Sequence, residues 1–367
     1  MSFSPVYLHA KNSVSSLGID LSSNWNALVQ GKSGIALQAV GKLGACYVAK
    51  LGEDLREQLI SPSLPSSLLE RMLYTAAQPV LEQHRITARK GLILSSTKGN
   101  IGYLAEGRES EAGLSVLAAR LAAAWGIQTT PLVVSQACVS GLLAVSVAKR
   151  LIQMGQFDDA IVLAADVVGE FVTAGFQSFQ AMSPFPCKPY DKSRAGVSLG
   201  EAAACVFLSK EQGAFRIAGE GSINDANHIS GPSRTGIGLV KSVLSAMQEA
   251  AIRPEHIDFI SAHGTATLYN DEMEAIAFNC LGMQDRPLYS LKGYYGHTLG
   301  AAGLLELVLG LKALEENTLL PTLGFETYGV SQPLQLVDRL MQRTLRRFLK
   351  TASGFGGSNA AMLIEKL

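Results

Sequence analysis

Two segments of this 367-residue chain share one pattern, and that repetition is the strongest constraint on its fold. The first, LVVSQACVSGLLAVSVAKRL at residues 132–151, runs from a short apolar stretch through a turn into a helix-like stretch rich in small residues. The second, PLYSLKGYYGHTLGAAGLLELVLGLKAL at residues 287–314, repeats that order. Helices with small residues on several faces can pack closely, because no bulky side chain separates the backbones. The repetition predicts two duplicated halves, residues 1–210 and 211–367, although an ordinary α/β enzyme with several such units is the alternative.

The runs between these segments alternate between strand and helix patterns. The continuous apolar runs AIVLAADVV, AACVFLS and HIDFISAHG, at residues 160–168, 203–209 and 256–264, have the length and composition of strands buried on both faces. Between the second and third, TGIGLVKSVLSAMQEAAI carries apolar residues every three or four positions, which is typical of a helix. Strands that alternate with helices predict a layered α/β fold.

The charge and cysteine content exclude several classes of protein. Lysine plus arginine and aspartate plus glutamate both number 31, which predicts neither a nucleic-acid-binding surface nor a polybasic membrane patch. The N-terminus lacks a basic segment followed by a long apolar core, and the longest apolar stretch near the C-terminus is interrupted by Glu306 and Lys312, so we expect no signal peptide and no membrane insertion. Five scattered cysteines without a CxxC pair predict neither a disulfide framework nor a metal site, and we expect a cytoplasmic location.

Three residues with reactive side chains follow strand patterns or precede the small-residue helices. Cys138 lies just before a helix pattern at residues 139–151; a helix N-terminus lowers the pKa of a thiol and favours a nucleophile, whereas a small buried core residue is the alternative. His263 ends a strand in SAHGTAT, and His297 precedes the second small-residue helix in KGYYGHTLGAAG. Either histidine alone could be a structural turn residue. Because α/β folds gather their active sites at the carboxyl ends of strands, the three together predict one site.

Two further features accompany these residues. Lys292 lies in the same turn as His297, and Glu306 lies in the otherwise apolar second helix. A buried carboxylate is costly unless it is paired, so we expect a Lys292–Glu306 pair, with a solvent-exposed Glu306 as the alternative. The glycine-rich turn SGFGG at residues 353–357 precedes the last apolar run, where its glycines would allow the backbone to approach a substrate. A dinucleotide is not expected there, because a strand rather than a helix follows.

Six motifs, in chain order, resemble those of the β-ketoacyl-acyl-carrier-protein synthases, the decarboxylating condensing enzymes of the thiolase superfamily. They are VSQACVSG, CKPYDKSRAGVSLGEAAACVFLS, NDANHISGPS, AHGTATLYNDEMEAIA, KGYYGHTLGAAGLLE and SGFGGSNA, which extend from residue 134 to residue 360. The resemblance implies the five-layered αβαβα thiolase-like fold made of two duplicated halves, in agreement with the repeated segments.

The resemblance implies a catalytic role for five matching side chains. Cys138 would carry the acyl chain as a thioester. His263 and His297 would donate hydrogen bonds to the malonyl thioester carbonyl, whose oxygen becomes an enolate as CO₂ leaves. Lys292, paired with Glu306, would orient the loop that carries His297.

The resemblance also implies how substrate would be bound. The backbone N–H groups of Cys138 and Phe355 would bind the second oxyanion. Six residues would lie on the substrate path: Phe355 with its neighbours Gly354 and Gly356 at the acyl entrance, Thr265 and Thr267 in the pantetheine channel, and Val197 where the family usually has a phenylalanine.

The implied reaction is a decarboxylative Claisen condensation of an acyl thioester on Cys138 with malonyl-acyl-carrier protein, giving a 3-oxoacyl-acyl-carrier protein in fatty-acid, polyene or related secondary lipid synthesis. The Cys-His-His set indicates the elongating type, because acyl-CoA-primed synthases use Cys-His-Asn and thiolases use a second cysteine. No resident cofactor is expected, since the substrates arrive on the phosphopantetheine of acyl carrier protein. That carrier and a second ketosynthase-like chain, in a homodimer or heterodimer, are the expected partners.

Two other readings remain open. The chain could be a chain-length-factor-like partner subunit of a heterodimeric ketosynthase, although such partners commonly lack the reactive cysteine. It could also be an acyl-CoA-primed synthase or a thiolase.

Some positions depart from the family pattern. Gln136 stands where threonine is usual, and Gly141 follows Ser140 where a small polar residue is common. The segment at residues 104–124 is shorter than in typical members, where a longer stretch helps to line the acyl pocket at the dimer interface. The acceptable acyl chain therefore depends on residues that the motifs do not specify.

Overall fold

The structure, a computed structural model, describes residues 4–61, 66–226 and 231–367. Within these ranges the strands are β1 (Tyr7–Ser15), β2 (Ala36–Ala39), β3 (Ala45–Ala49), β4 (Lys90–Ser95), β5 (Leu132–Val134), β6 (Asp159–Asp166), β7 (Leu199–Gly200), β8 (Ala202–Ser209), β9 (Phe215–Asn224), β10 (Phe259–Ser261), β11 (Pro287–Tyr289), β12 (Thr318–Leu319), β13 (Gln335–Leu336), β14 (Met341–Gln342), β15 (Arg347–Gly354) and β16 (Ser358–Lys366).

The helices of the same ranges are α1 (Leu21–Val29), α2 (Glu53–Glu57), α3 (Leu68–Gln83), α4 (Glu109–Ala112), α5 (Leu114–Ala124), α6 (Ser140–Gln153), α7 (Glu170–Ser178), α8 (Ile237–Ala250), α9 (Leu268–Cys280), α10 (Lys292–Tyr295) and α11 (Ala302–Glu316). Not one of them has the length and apolar character needed to cross a membrane.

One strand arrangement occurs twice along the chain. The order β1-β8-β6-β4-β5 in the first half matches the order β9-β16-β15-β10-β11 in the second. In both, the first three strands are antiparallel to their neighbours and the last three are parallel to one another. The two sets join where β1 pairs briefly with β9. The second set begins at Phe215; the boundary between residues 210 and 211 stays a prediction.

Five layers are stacked in the order helix, sheet, helix, sheet, helix. Helices α3 and α5 cover the outer face of the first strand set, and α8 with α9 covers the outer face of the second. Helices α6 and α11 lie between the two sets and form the largest apolar core with them. The predicted αβαβα fold of two duplicated halves is confirmed.

The two central helices contact each other through glycine. A Cβ atom added to Gly141 of α6 would lie 2.7 Å from the carbonyl oxygen of Gly300 and 2.9 Å from the backbone nitrogen of Leu304. A Cβ added to Gly303 of α11 would lie 2.8 Å from the backbone nitrogen of Leu142. Those separations are too short for real carbon atoms, so the small residues of the two repeated segments set how closely the helices approach.

Most of the predicted elements exist, with shifted ends. Strands β6 and β8 and helix α8 fall on the predicted runs. The strand predicted from His256 is wrong at its start, because Pro254–His256 forms a 3₁₀ turn in which the Arg253 N–H donates to the His256 ring at 3.1 Å. Strand β10 therefore keeps only Phe259–Ser261. The motif NDANHISGPS lies partly outside the described residues, at positions 227–230.

Candidate active site

Cys138 lies in a tight turn between β5 and α6. Ala137 has a φ of 44°, a left-handed conformation that is uncommon for a residue with a side chain. Two hydrogen bonds hold the turn: the Gln136 N–H donates to the Ser140 hydroxyl at 2.7 Å, and that hydroxyl donates to the Ala137 carbonyl at 2.6 Å. Helix α6 begins at Ser140, not at Val139 as predicted. The turn presents the Cys138 thiol to a cavity at the start of the helix.

The pKa of the Cys138 thiol is shifted in the direction opposite to the one expected from the sequence. Burial raises it to about 11, while the Lys292 charge and the Phe355 N–H act in the opposite direction. The expectation that the helix N-terminus would lower the pKa fails because removing the thiolate from water outweighs these favourable interactions. The buried thiol is thus mainly protonated at neutral pH.

His297 points a hydrogen-bond donor into the same cavity. Its backbone N–H donates to the Ser198 carbonyl at 2.6 Å, which fixes the loop before α11. Its Nδ1 accepts from the Leu299 N–H at 3.3 Å, so the ring proton belongs on Nε2. That Nε2 has no hydrogen-bond partner among the described residues. Burial, together with the charges of Lys292 and Lys350, holds the pKa of His297 well below its ordinary value, and the ring is neutral.

His263 is fixed by two buried carboxylates of α9. The Glu274 carboxylate accepts from the backbone N–H groups of His263 and Gly264 at 2.8 and 2.7 Å. The Asp271 carboxylate accepts from the Thr265 N–H at 2.9 Å, and burial raises the pKa of Asp271 to about 6. Sequence reasoning did not single out these two acids. The signal was their three-residue spacing, which places both on one face of a helix.

The three reactive side chains converge. The Cys138 sulfur and a nitrogen of each histidine ring lie within 4.8 Å of one another, and the His263 and His297 rings are nearly perpendicular at 5.2 Å between centroids. A cysteine and two histidines can also bind a soft metal ion. Here the ammonium group of buried Lys292 lies 3.4 Å from Nδ1 of His263, and its positive charge opposes a divalent cation.

Lys292 and Glu306 form a buried ion pair behind this group. The Lys292 Nζ lies 2.7 Å from one Glu306 oxygen, and both side chains are almost fully buried. The Lys292 Nζ also donates to the His263 carbonyl at 2.5 Å and faces the His263 ring. Its backbone carbonyl accepts from the Gly296 N–H, next to His297, at 2.9 Å. That Lys292 orients the His297 loop stays a prediction.

The cavity around Cys138 has a volume of 360 Å³. The sequence-predicted residues that line it are Cys138, His263, His297, Thr265, Thr267, Val197, Gly354 and Phe355. Lys292 and Glu306 lie behind the lining, and Gly356 is absent from it. Within the described ranges, lysine, arginine, aspartate and glutamate are also absent from the lining. The reactive groups therefore face a cavity without formal charge.

Aromatic rings lie at the side of the cavity where the glycine-rich turn approaches Cys138. A Cβ on Gly354 would lie 3.1 Å from the Cys138 backbone nitrogen, so the absence of a side chain allows this approach. The Phe355 ring lies 5.7 Å from Phe176 and 5.6 Å from Phe179, centroid to centroid. Phe179 was not predicted from the sequence, and 60% of its surface is exposed.

The shortened segment does not reach this cavity. Residues 104–124 form part of a 3₁₀ turn followed by α4 and α5, and the cavity lining contains no residue of that range. The Arg108 guanidinium lies over the Tyr103 ring and pairs with Glu111. In this chain the segment packs through α5 against the first strand set and forms no part of the cavity lining.

A second buried group lies at the start of the other central helix. The Asp166 carboxylate, at the end of β6, accepts from the hydroxyls of Ser96 and Thr97, both at 2.9 Å, and from the Thr97 N–H. It also accepts from the Gly300 N–H at 2.8 Å, just before α11. Burial raises the pKa of Asp166 to about 6, against these hydrogen bonds.

Gln136, the residue that departs from the family pattern, joins the two halves of the site. Its side-chain amide donates to the Ser358 hydroxyl at 2.6 Å, and Ser358 begins β16 directly after the glycine-rich turn. The departure therefore leaves the reacting groups in place and ties the nucleophile turn to the turn that carries Phe355.

Two family models match consecutive parts of the chain. The model of the β-ketoacyl synthase N-terminal domain matches residues 68–214, and that of the C-terminal domain matches residues 214–326.

Curated relatives agree with these matches. A protein described as polyketide β-ketoacyl synthase 1 of Streptomyces cyaneus is 34% identical in an alignment of 269 positions that covers 68% of this chain and 64% of that protein. The 3-oxoacyl-[acyl-carrier-protein] synthase 2 of Coxiella burnetii is 30% identical in an alignment of 250 positions that covers 63% of this chain and 60% of that protein. The chain thus aligns with less than two thirds of the length of either relative.

Solved structures match over nearly the whole chain. A structure of the ketosynthase ApeO in complex with its chain length factor ApeC, from Xenorhabdus doucetiae, matches with a TM-score of 0.91 and 26% identity, over 99% of this chain and 98% of that one. A β-ketoacyl synthase from Burkholderia phymatum matches with a TM-score of 0.87 and 22% identity over 100% of each chain. At 22% identity, the likeness to the Burkholderia phymatum structure shows the fold alone.

Proposed function

Because this chain belongs to the β-ketoacyl synthase family, we propose that it condenses an acyl thioester on Cys138 with malonyl-acyl-carrier protein and releases a 3-oxoacyl-acyl-carrier protein. The observation that carries the proposal is the convergence of the Cys138 sulfur and one nitrogen of each imidazole ring within 4.8 Å, at a cavity whose lining carries no formal charge among the described residues.

The first step is acyl transfer. The Cys138 sulfur attacks the acyl thioester, the sulfur–carbon bond to the carrier breaks, and the carrier thiol leaves with the proton that the Cys138 thiol gives up. The negative oxygen of the tetrahedral intermediate is held by backbone N–H groups, for which Cys138 and Phe355 are the candidates. The Phe355 N–H already donates toward the thiol. Fixed donors aimed at developing negative charge need no reorganisation during the reaction.

The second step is loss of CO₂. The bond between the malonyl carboxylate and its α-carbon breaks, and the electron pair moves onto the thioester oxygen as an enolate. The Nε2–H of His297 is free to donate to that oxygen. The Lys292 ammonium group faces Nδ1 of His263, and because an ammonium group only donates, the ring proton of His263 also belongs on Nε2. Among the described residues, the lining contains no lysine or arginine that would stabilise the malonyl carboxylate, which favours its loss as neutral CO₂.

The third step forms the carbon–carbon bond. The α-carbon of the enolate attacks the thioester carbonyl on Cys138, and the tetrahedral intermediate collapses by expelling the cysteine sulfur. The thiol regains a proton, and the extended chain remains on the carrier. This sequence calls for no resident cofactor, because both acyl groups arrive as thioesters of a carrier-bound phosphopantetheine.

The proposal is tested by loading and condensation. The purified protein is incubated with acyl carrier proteins that bear acyl chains of several lengths, and the protein is weighed intact. We expect an acyl adduct that is absent in C138A and unchanged in C280A, the matched control at an exposed cysteine. Addition of malonyl carrier protein should convert the adduct to 3-oxoacyl carrier. The absence of an adduct with every chain length would overturn the proposal, and faster loading from acyl-CoA would point to an acyl-CoA-primed enzyme.

A partner subunit is the second candidate. Structures of ketosynthase and chain length factor complexes, from Xenorhabdus doucetiae and from the ishigamide system, match this fold. The presence of Cys138 with both histidines favours the catalytic member of such a pair over the chain length factor. A protein inactive alone, active with a co-purifying ketosynthase and insensitive to C138A would reverse that assignment. We further propose that the chain acts on acyl carrier protein, that it forms a homodimer or a heterodimer, and that it is located in the cytoplasm.

A further inference from the structure

Lys350 is a buried lysine that the proposed reaction does not use. It lies in the middle of β15, whose sequence is RFLKTASG, and its side chain has no exposed surface. In the parallel register of β15 and β10 it stands beside Ser261, two positions before His263. It does not line the cavity around Cys138, so it has no route to substrate.

The Lys350 ammonium group makes three contacts. Its Nζ lies 2.5 Å from the second oxygen of Glu306 and donates to the carbonyls of Ser261 and Ala262 at 3.1 and 3.2 Å. Those carbonyls belong to the last residue of β10 and to the residue that immediately precedes His263. One cation therefore fixes the backbone from which the His263 side chain starts.

The same contacts continue to the His263 ring. Glu306 binds Lys350 with one oxygen and Lys292 with the other, and Lys292 contacts both the carbonyl and the ring of His263. The chain of contacts Lys350–Glu306–Lys292 thus holds His263 from its backbone and from its ring. Lys292 alone would neutralise Glu306, and a second buried ammonium group adds a desolvation cost that stability does not explain.

We infer that Lys350 is a positioning residue for the decarboxylation step, acting through the His263 backbone and the Glu306–Lys292 pair. The inference rests on the proposed function, in which His263 and His297 donate to the enolate oxygen. It separates the two half-reactions, because acyl transfer to Cys138 depends on backbone N–H groups, whereas loss of CO₂ depends on the two rings.

The charge of Lys350 also acts on His297. Lys292 of α10 and Lys350 of β15 act on this ring by their charge, and Cys138 and His263 lie beside it. Of the acids on neighbouring elements, Glu306 of α11 pairs with both lysines, and Asp166 of β6 accepts from the Gly300 N–H. Lys292 and Lys350 both lower the pKa of His297. A protonated ring would place a proton on Nδ1 against the Leu299 N–H and break that hydrogen bond. Removing Lys350 should therefore allow protonation of His297 at a higher pH.

The test compares K350M with wild type in two separate assays. Loading of Cys138 is followed by intact mass, and decarboxylation of malonyl carrier protein is followed by the loss of CO₂ from its mass. We expect K350M to load at a rate within about twofold of wild type and to decarboxylate at least about tenfold more slowly. The acid limb of its decarboxylation profile should lie at higher pH.

Two further variants complete the test. K90M is the matched control, since Lys90 is equally buried and paired with Asp159 but lies at the opposite end of the parallel strands from the site. It should leave both rates unchanged. K350Q removes the charge and keeps a donor group, and it replaces K350M if that protein does not fold.

Equal losses in loading and decarboxylation, or no loss in either, would overturn the inference. If wild type neither loads nor decarboxylates, the proposed function fails, and nitrogen NMR of the histidine rings still decides the role of Lys350. We expect the His297 ring to become protonated at a higher pH in K350M than in wild type. Identical spectra would reject the role.

Discussion

Substitution of Glu306 by glutamine should cost more stability than any other single change in the site. Glu306 binds Lys292 and Lys350, and all three side chains are almost fully buried. Removing one partner of a buried ion pair costs about 3–5 kcal/mol, because the other charge is left without compensation. E306Q leaves two such charges, but one lysine can release its proton, so the losses are not additive. We expect a total loss of about 4–6 kcal/mol, against a typical free energy of unfolding of about 5–15 kcal/mol.

A series of variants separates the effect of uncompensated charge on stability from the effect of lost packing. K350M leaves the neutral Lys292–Glu306 pair, so the expected loss is below about 2 kcal/mol, mainly from a carboxylate oxygen that loses its hydrogen bond. The double variant E306Q/K350M carries one uncompensated lysine instead of two. It should be more stable than E306Q alone by about 2 kcal/mol. A rescue of this kind is expected only if positive charge, rather than lost packing, destabilises E306Q.

The pH dependence has a defined sign. Burial lowers the pKa of Lys350 in the folded protein, and the Glu306 carboxylate opposes that shift. Without the Glu306 carboxylate, the pKa of Lys350 in the folded protein falls further, while its pKa in the unfolded chain stays at about 10.4. The folded state then binds fewer protons than the unfolded state, so the free energy of unfolding rises with pH up to that value. The deficit of E306Q should shrink between neutral pH and about pH 10.

Urea unfolding followed by tryptophan fluorescence measures these differences as midpoint shifts at a common slope. The reasoning is refuted if E306Q loses less than about 1 kcal/mol, or if the double variant is less stable than E306Q. It is refuted equally if the E306Q deficit grows with rising pH.

Three other outcomes follow from the site. The rate of iodoacetamide alkylation of Cys138, read by peptide mass, should rise with pH without a plateau below about pH 10, because burial raises the thiol pKa to about 11; a plateau near neutral pH would contradict this. G141A should lose at least about 2 kcal/mol in urea unfolding and slow Cys138 loading, because its new methyl group would meet the α11 backbone, whereas the matched control G175A, which has open space around it, should be neutral or slightly stabilising. V197A should extend loading toward bulkier acyl groups, since Val197 lines the cavity, and an unchanged acyl-chain profile would exclude Val197 from specificity.

The sequence predicted the parts of the site that stand at strand ends. Cys138, His263 and His297 each follow a strand or precede a small-residue helix, and the duplicated pattern placed them on facing elements. Their convergence depends on the close approach of α6 and α11, which the repeated small residues had indicated. The glycine-rich turn before β16 was likewise visible from its spacing.

Partners far apart in the chain could not be predicted. Lys350 lies in a strand whose sequence, RFLKTASG, contains no acidic residue, and the carboxylate that it binds, Glu306, is 44 residues away. The two acids of α9 that hold the His263 loop cannot be distinguished from exposed helical residues in the sequence, because their burial depends on how that helix packs. The thiol pKa was predicted with the wrong sign, because burial depends on the whole assembly of layers, whereas the helix effect can be read from the local sequence.

The duplication places equivalent surroundings at the start of each central helix, and the chain uses them differently. The loops after β10 and β15 bring His263 and Phe355 to the start of α6, next to Cys138. The equivalent ends of β4 and β6 bring Thr97 and Asp166 to the start of α11, where the carboxylate accepts from hydroxyl and backbone donors of the protein itself. The start of α6 opens to the cavity, whereas the start of α11 uses its donors within the protein. The two halves are similar in fold but differ in function, because at the start of α11 the polar groups hydrogen-bond to one another, whereas the start of α6 is open to a ligand.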